Sequence, residues 1–389
     1  MKKSLIALAV LAAAGAASAQ SSVTLFGIVD ATIQRVDNKG ATGGSVTRLH
    51  NSGESSSRLG FRGTEDLGGG MSGSFWLEAG LNNDDGTGQT LSTNNQFSGA
   101  SGTALVAGGG EAGRNTRASN GTGLVFNRRS TVSLAGGFGE IRLGRDYTPQ
   151  FWNLTVFDPY GTVGVGTNQM LNSGGAITGP TAVRASNTVG YFLPGNLGGF
   201  YGQIQHYRGE NASNVANSGD GNGAGVRFGY SAGPLNVALA TGRTKYALVA
   251  APAAGQPTGT TRQSNLGASW NFGVATVIAQ ISRDSANALA GNVKGRGYLA
   301  AVTVPVGPGL IKASVSNYIT DVPVGTDPRA RKIAVGYVHN LSKRTAVYTT
   351  FARVSNNATS NASVFSGAAA AGPAGASSSG YDLGIRHSF

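Results

Sequence analysis

The chain has 389 residues, no cysteine and a formal net charge of +12, although only 12% of its residues are charged. The absence of cysteine excludes a disulfide framework. The 30 lysines and arginines are scattered almost singly, and the densest basic spots are Arg128-Arg129 and the segment 329–332. Because nucleic-acid surfaces need a basic stripe, we expect no nucleic-acid partner.

The first nineteen residues predict a signal peptide. Lys2 and Lys3 precede a short apolar run that closes on Ala17-Ser18-Ala19, which fits an A-x-A cleavage site. We therefore expect a cleaved signal over 1–19 and one mature domain over 20–389. No later stretch reaches 18 consecutive apolar residues, so no transmembrane helix is predicted. A closed β-barrel is the other structure that satisfies every backbone group in lipid.

Apolar and polar residues alternate with period two along much of the chain, which is typical of half-buried strands. The clearest segments are "EIRLGRD" (140–146), "NLGASWNF" (265–272) and "KIAVGYVHNL" (332–341). The last ten residues, "GYDLGIRHSF", also alternate and end on the aromatic Phe389. This pattern predicts a strand that continues to the final residue.

Short and long connections alternate between these segments along the chain. Seven tight Gly/Pro/Asn-rich turns are predicted near 67–72, 136–140, 194–200, 232–235, 271–274, 306–309 and 341–345. Eight longer polar stretches lie at 37–56, 83–126, 147–183, 209–222, 247–261, 284–294, 321–330 and 356–378. Together they join about sixteen strands, with short turns at one end and long loops at the other.

A β-sandwich is the main alternative to a barrel. A dry sandwich core would not leave Asp30, Arg58, Arg62 and Glu78 opposite the apolar face of consecutive hairpins. We therefore predict an all-β, transmembrane, antiparallel up-and-down β-barrel whose last strand pairs with the first and leaves no edge. In that arrangement Phe389 would lie at the membrane interface.

Four features in order resemble the general diffusion porins of the bacterial outer membrane: "SSVTLFGIVDA" (21–31), "SRLGFRGTEDLGGG" (57–70), "LAGGFGEIRLGRDYTPQF" (134–151) and the terminal aromatic. The resemblance implies short periplasmic turns, long extracellular loops, and a water-filled channel for passive diffusion of small hydrophilic solutes and ions. It also implies a homotrimer in contact with outer-membrane lipid. Phe389 resembles the signal read by the outer-membrane assembly machinery.

The resemblance also implies a constriction, formed where the third long loop, about 147–183, folds into the lumen. Its basic wall would carry Arg58, Arg62, Arg128 and Arg184, although Arg129 competes with Arg128 because "RRSTVSL" leaves the parity open. The acidic residues would be Glu78 and Asp158. Clustered arginines in a narrow pore favour anions, so we expect anion preference.

Two other functions are possible on a barrel scaffold, an enzyme and an adhesin. An enzyme on the same scaffold would need a catalytic pair, and His206 is the only one of four histidines predicted inside the barrel. No metal-binding motif or P-loop occurs, so we expect no enzyme and no cofactor. An adhesin with a blocked lumen, binding through its long loops, remains the alternative hypothesis.

Overall fold

The computed structural model describes residues 22–89, 95–96, 124–173, 179–215, 217–247, 259–288, 291–322, 324–365 and 368–389. The predicted signal, 1–19, lies outside these residues, as does most of the predicted loop 83–126. The elements in chain order are β1 (Ser22–Asn38), β2 (Ser45–Asn51), β3 (Arg58–Gly68), β4 (Met71–Asn82), β5 (Thr87–Gly88), β6 (Arg129–Gly136), β7 (Gly139–Tyr147), α1 (Pro149–Val156), α2 (Gln169–Ser173), β8 (Arg184–Phe192), β9 (Phe200–Tyr207), β10 (Asn222–Ala232), β11 (Leu235–Lys245), β12 (Thr260–Asn271), β13 (Thr276–Ala288), β14 (Gly291–Val306), β15 (Gly309–Asp321), β16 (Arg329–Asn340), β17 (Thr345–Asn356) and β18 (Ser378–Ser388).

These strands form one antiparallel sheet that closes on itself through the pairing of β1 with β18. Sixteen strands make the barrel wall. The other two are short additions inside long loops, because β2 pairs with the second half of β1 and β5 is a two-residue strand beside β4. The predicted barrel of about sixteen strands is confirmed. The seven predicted tight turns all join consecutive wall strands and lie at one end of the barrel, here called the turn end.

Side chains alternate between the two surfaces of the wall. On β18, Leu383 and Ile385 are 54% and 49% exposed on the outer surface, whereas Asp382 is fully buried on the inner one. Strand alternation therefore gives an apolar outer surface and a polar lumen. No helix within the described ranges is long and apolar enough to cross a membrane.

His206 lies on the outer surface of β9, so its predicted position inside the barrel is wrong. It is exposed and in register with Val189 of β8, which is 56% exposed. The inner surface of this part of β9 is formed by Gln203 and Gln205, which occupy the alternate positions. A histidine on the outer surface cannot contact solutes in the lumen.

The seam between the first and last strands continues to the final residue. The Phe389 amide donates to the Gly27 carbonyl at 3.1 Å, and the Gly27 amide donates to a Phe389 backbone oxygen at 3.2 Å. The Phe389 ring covers Gly27 so closely that a β-carbon there would lie 2.3 Å from the ring. The last residue thus contributes backbone pairing and an aromatic cover to the closure.

Deleting Phe389 should reduce the fraction of protein that assembles as a folded barrel, because the seam loses two hydrogen bonds and the ring over Gly27. Gel electrophoresis of outer-membrane preparations with and without heating measures the share of folded protein, because folded barrels migrate differently from heat-denatured ones. Phe389→Tyr keeps the backbone and the ring and is the control. Equal assembly of the deletion variant and the wild type would contradict the proposed role of Phe389 as an assembly signal.

Candidate pore constriction

The connection between β7 and β8 folds into the lumen, as expected for the segment 147–183. Pro149 occupies the first turn of α1, where its fixed φ and missing amide are tolerated. Inside the lumen, the Asn153 Nδ2 of α1 donates to the Ala238 carbonyl at 3.0 Å and to Asn265 Oδ1 at 2.7 Å. The Phe157 ring packs on Gly267, where a β-carbon would approach it to 2.1 Å. The first part of the loop is therefore attached to β11 and β12.

The far part of the loop is attached to the wall by buried charged groups. Lys332 of β16 donates from Nζ to the loop carbonyls of Val165 and Thr167 at 3.3 and 2.9 Å, and also to the Val364 carbonyl in the connection between β17 and β18 at 2.8 Å. Asp382 of β18 accepts a hydrogen bond from the Val165 amide at 2.8 Å. The loop thus crosses the lumen from β7 to β18 and covers the inner surface of the strands between β11 and β18.

Asp158 folds this loop and does not line the open lumen, which corrects its predicted role as an acidic pore residue. It is only 5% exposed. Its carboxylate accepts hydrogen bonds from the Tyr160 amide at 2.9 Å, the Asn168 amide at 3.0 Å and the Asn168 Nδ2 at 2.7 Å. Burial raises the pKa of Asp158, and these hydrogen bonds oppose that rise. The "DPYG" segment is a turn, and its Asp158 carboxylate accepts hydrogen bonds from residues of the same loop.

The opposite side of the lumen stays open as a cavity of about 670 Å³. Its wall comes from β1, β3, β4, β6 to β10, the end of β18 and the start of the inward loop. Charged residues of both signs and aromatic rings line this cavity. They include Arg58, Arg129, Arg142, Arg227, Glu78, Asp146, Phe26, Trp76, Tyr147, Trp152, Phe192 and Tyr201. Among the described residues, this is the side of the lumen that the inward loop leaves open.

An arginine cluster surrounds Tyr147 beside this cavity and consists of Arg58, Arg128, Arg145 and Arg184. Arg128 and Arg184 donate to the Tyr147 hydroxyl at 2.9 and 2.8 Å, and the Arg184 guanidinium lies 4.4 Å from the centre of the Tyr147 ring.

The Glu78 carboxylate forms ion pairs with two members of this cluster. Its Oε1 lies 2.6 Å from Arg128 Nε and 4.0 Å from Arg58 Nη1. Arg145 donates instead to the Asn127 carbonyl at 2.6 Å and the Ser186 hydroxyl at 2.9 Å. Glu78 therefore pairs with two of the four guanidinium groups, and Arg145 and Arg184 bind neutral groups instead.

Both members of the Arg128-Arg129 pair point inward, which resolves the parity left open by the sequence. Arg128 precedes β6 and is buried against Glu78. Arg129 is in register with Glu78, stacks on Trp76 at 4.5 Å and lies 3.7 Å from Asp146. Arg62 lies on the same inner face, over the rings of Phe26 and Trp76 at 5.4 and 5.1 Å.

Several lumen residues were not predicted as site residues. Arg142 and Asp146 are 2.7 Å apart on the polar side of "EIRLGRD", where the alternation already indicated an inner face. Arg227 donates to Asn153 at 2.8 Å and could have been found from its place between the outward Val226 and Phe228. Arg145 carried no such signal, because the pairing of β7 with β8 shifts between Gly144 and Asp146.

A closed sixteen-stranded barrel with an inward loop and a charged lumen defines a membrane channel. The chain belongs to the Gram-negative porin family, whose model matches residues 5–359. It is 38% identical over 395 residues to outer membrane porin protein 32 of Delftia acidovorans, with 100% of each chain covered. It is 27% identical to an outer membrane porin of Bordetella pertussis, with 90% and 93% covered.

Among solved structures, an anion-selective porin from Comamonas acidovorans matches with a TM-score of 0.76 and 35% identity, covering 95% of this chain and 100% of that one. OmpT of Vibrio cholerae in its trimer form shares the fold at a TM-score of 0.62 and 13% identity. The protein is thus an outer-membrane porin, a channel for passive diffusion of small hydrophilic solutes and ions. The predicted fold, function and location are confirmed.

Replacing Lys332 by Met should loosen the inward loop, because the Val165 and Thr167 carbonyls of that loop lose their donor, as does Val364, and each unsatisfied group costs about 1–3 kcal/mol. Single-channel recordings should show more current noise and closure at lower voltage than in wild type. Lys343→Met, in an exposed tight turn, is the matched control. Quiet, wild-type-like channels in Lys332→Met would show that the other loop contacts are sufficient.

Proposed function

We propose that this porin conducts anions in preference to cations, and that the arginine cluster is the main source of the preference. The supporting observation is the excess of guanidinium groups at the Tyr147 hydroxyl, where Arg128 and Arg184 both donate and Glu78 is the carboxylate that pairs with Arg128 and Arg58. Arg58 also lines the open cavity directly, with 29% of its side chain exposed. This proposal extends to the chain what the name of the Comamonas structure says of that protein.

The electrostatics of a narrow pore explain why such a cluster would select ions. The loop narrows the open side of the lumen beside the cluster, and the low-dielectric wall bounds it, so screening there is weaker than at the mouths. A net positive throat raises the local anion concentration and repels cations. Arg142 contributes less to this field than its position suggests, because Glu140 and Asp146 pair with it at 2.9 and 2.7 Å.

Arg58→Gln combined with Arg184→Gln should shift the reversal potential in a salt gradient toward the cation side. The variant removes two of the four positive charges and keeps side chains that can donate hydrogen bonds. The wild-type preference should be strong in dilute salt and weaken as salt rises, because the Debye length is about 8 Å at 0.15 M. Planar-bilayer recording measures both effects.

Lys343→Gln combined with Arg344→Gln is the control for that experiment. It removes the same charge from an exposed turn between β16 and β17, outside the throat, and should shift the reversal potential much less. A wild-type channel that prefers cations in dilute salt, or equal shifts in the two double variants, would overturn the proposal.

We further propose that the channel is a homotrimer without catalytic activity. The trimer form of Vibrio cholerae OmpT, which has the same fold, supports the assembly. Single insertions into a bilayer should therefore produce conductance that closes in three equal steps. Native mass spectrometry of the detergent-extracted protein provides an independent count of chains. Insertions that close in one step from a monomeric species would contradict the trimer, and a protein that never conducts would indicate the blocked adhesin.

A further inference from the structure

Aromatic rings on the inner wall are a feature that a preference for anions does not require. The lumen of a β-barrel channel is normally polar. Here the open cavity is lined by Phe26, Trp76, Trp152, Phe192 and Tyr201, and Trp152 is 38% exposed. Apolar surface in contact with water costs about 25 cal/mol per Å². An apolar group on a solute that covered these rings would recover part of that cost.

Some of these rings form a row across three consecutive strands. Phe192 of β8 is in register with Gln203 of β9, which is in register with Arg227 of β10. Tyr201 lies on the same inner face of β9 as Gln203, and its ring centre is 4.7 Å from the Arg227 guanidinium. We call Phe192, Tyr201, Gln203 and Arg227 the aromatic row. Because β8 runs from Arg184 to Phe192, the aromatic row lies nearer the turn end than the arginine cluster does.

Arg227 supplies the positive charge of the aromatic row, and its partners are neutral. Its Nε donates to Asn153 Oδ1 at 2.8 Å, and its Nη2 donates to the Tyr201 hydroxyl at 3.2 Å. Its side chain forms no ion pair within the described ranges, although the residue is only 7% exposed. A guanidinium held in a wall without a counter-charge favours the arrival of one negative charge.

The two acids that line the same cavity are engaged by other arginines. Asp146 lies 2.7 Å from Arg142, and Glu78 lies 2.6 Å from Arg128. Neither acid pairs with Arg227 in the part of the chain that the structure describes. The aromatic row therefore presents one uncompensated positive charge beside two aromatic rings.

We propose that the aromatic row is a binding site for aromatic monocarboxylates inside the channel. The Arg227 guanidinium accepts the carboxylate, because a guanidinium matches the geometry of its two oxygens. Phe192 and Tyr201 contact the ring of the solute, since offset aromatic pairs are favourable. One carboxylate balances the one uncompensated charge. The proposal rests on the proposed anion preference, which brings such a solute to the row.

Three small probes separate the contributions of charge and ring. Benzoate carries both, acetate lacks the ring, and benzamide lacks the charge. Each probe is added to both sides of a planar bilayer that contains single wild-type channels in potassium chloride. Benzoate should reduce the single-channel current in a saturable way, with a half-blocking concentration about tenfold lower than that of acetate. Benzamide should leave the current unchanged.

Two variants test the row itself. Arg227→Gln removes the charge and should raise the half-blocking concentration of benzoate about tenfold, because a hydrogen bond from a charged donor is lost. Phe192→Leu keeps every charge and should raise the half-blocking concentration of benzoate while that of acetate stays the same. Lys343→Gln in an exposed turn and Phe228→Leu on the outer surface of β10 are the matched controls and should behave like the wild type.

Equal half-blocking concentrations of benzoate and acetate in the wild type, or equal block by benzamide and benzoate, would overturn the proposal. Unchanged block by benzoate in Phe192→Leu would do so as well. That variant keeps the contact between Arg227 and Asn153, so it decides the matter even if Arg227→Gln fails to insert into the bilayer. A wild-type channel that prefers cations, yet is blocked by benzoate and not by acetate, would refute the anion preference and support the aromatic row.

Discussion

The whole structure depends on the need to pair every backbone amide and carbonyl that crosses the hydrocarbon layer. A sheet meets this need only when it closes, because any free edge would expose a row of unpaired groups to lipid. Here closure occurs at β1, which takes β18 on one side and shares the other between β3 and β2. Closure in turn leaves an interior too wide for wall side chains to fill. The inward loop and water occupy that space.

The inward loop divides the inner wall into two regions with different physical character. Against β11 to β15 it forms a dry contact in which Leu154, Phe157 and Met170 pack on Ile278 and Leu299. On the opposite side, arginines, carboxylates and aromatic rings surround an open cavity. Since the same loop creates both regions, its attachment through Lys332 and Asp382 sets the shape of the open side as well as the stability of the dry one.

Sequence patterns were sufficient for the parts of the structure governed by local rules. Period-two alternation predicted the faces of Ile141, Leu143 and the last strand, and Gly/Pro/Asn clusters located all seven tight turns, because strand pleat and turn geometry depend on neighbouring residues. The inner positions of Arg58 and Glu78 follow from the same alternation. The inward loop required the family resemblance, since no local signal distinguishes a loop in the lumen from one in solvent.

The errors arise where tertiary contacts decide the outcome. Asp158 resembled a pore acid, yet the distant part of its own loop supplies Asn168 and removes the carboxylate from the lumen. Arg145 lies beside a register shift near Gly144, whose φ of +124° lies outside the range that alternation assumes. The prediction that His206 lies inside the barrel was wrong because it assumed that a polar side chain on a strand points inward. The outer surface near the loop end also accepts polar groups.

The division of the inner wall means that ion selectivity and fold stability depend on different sets of residues. Substitutions at Arg58 and Arg129 alter the charge of the open cavity while the packed contact of the loop with the far wall stays intact. Substitutions at Phe157 or Gly267 alter that contact without adding or removing charge. A lineage of such channels can therefore adapt its permeability to a new chemical environment through neutral steps on the open side, with little loss of stability at each step. Directed evolution for new solutes has the same freedom there.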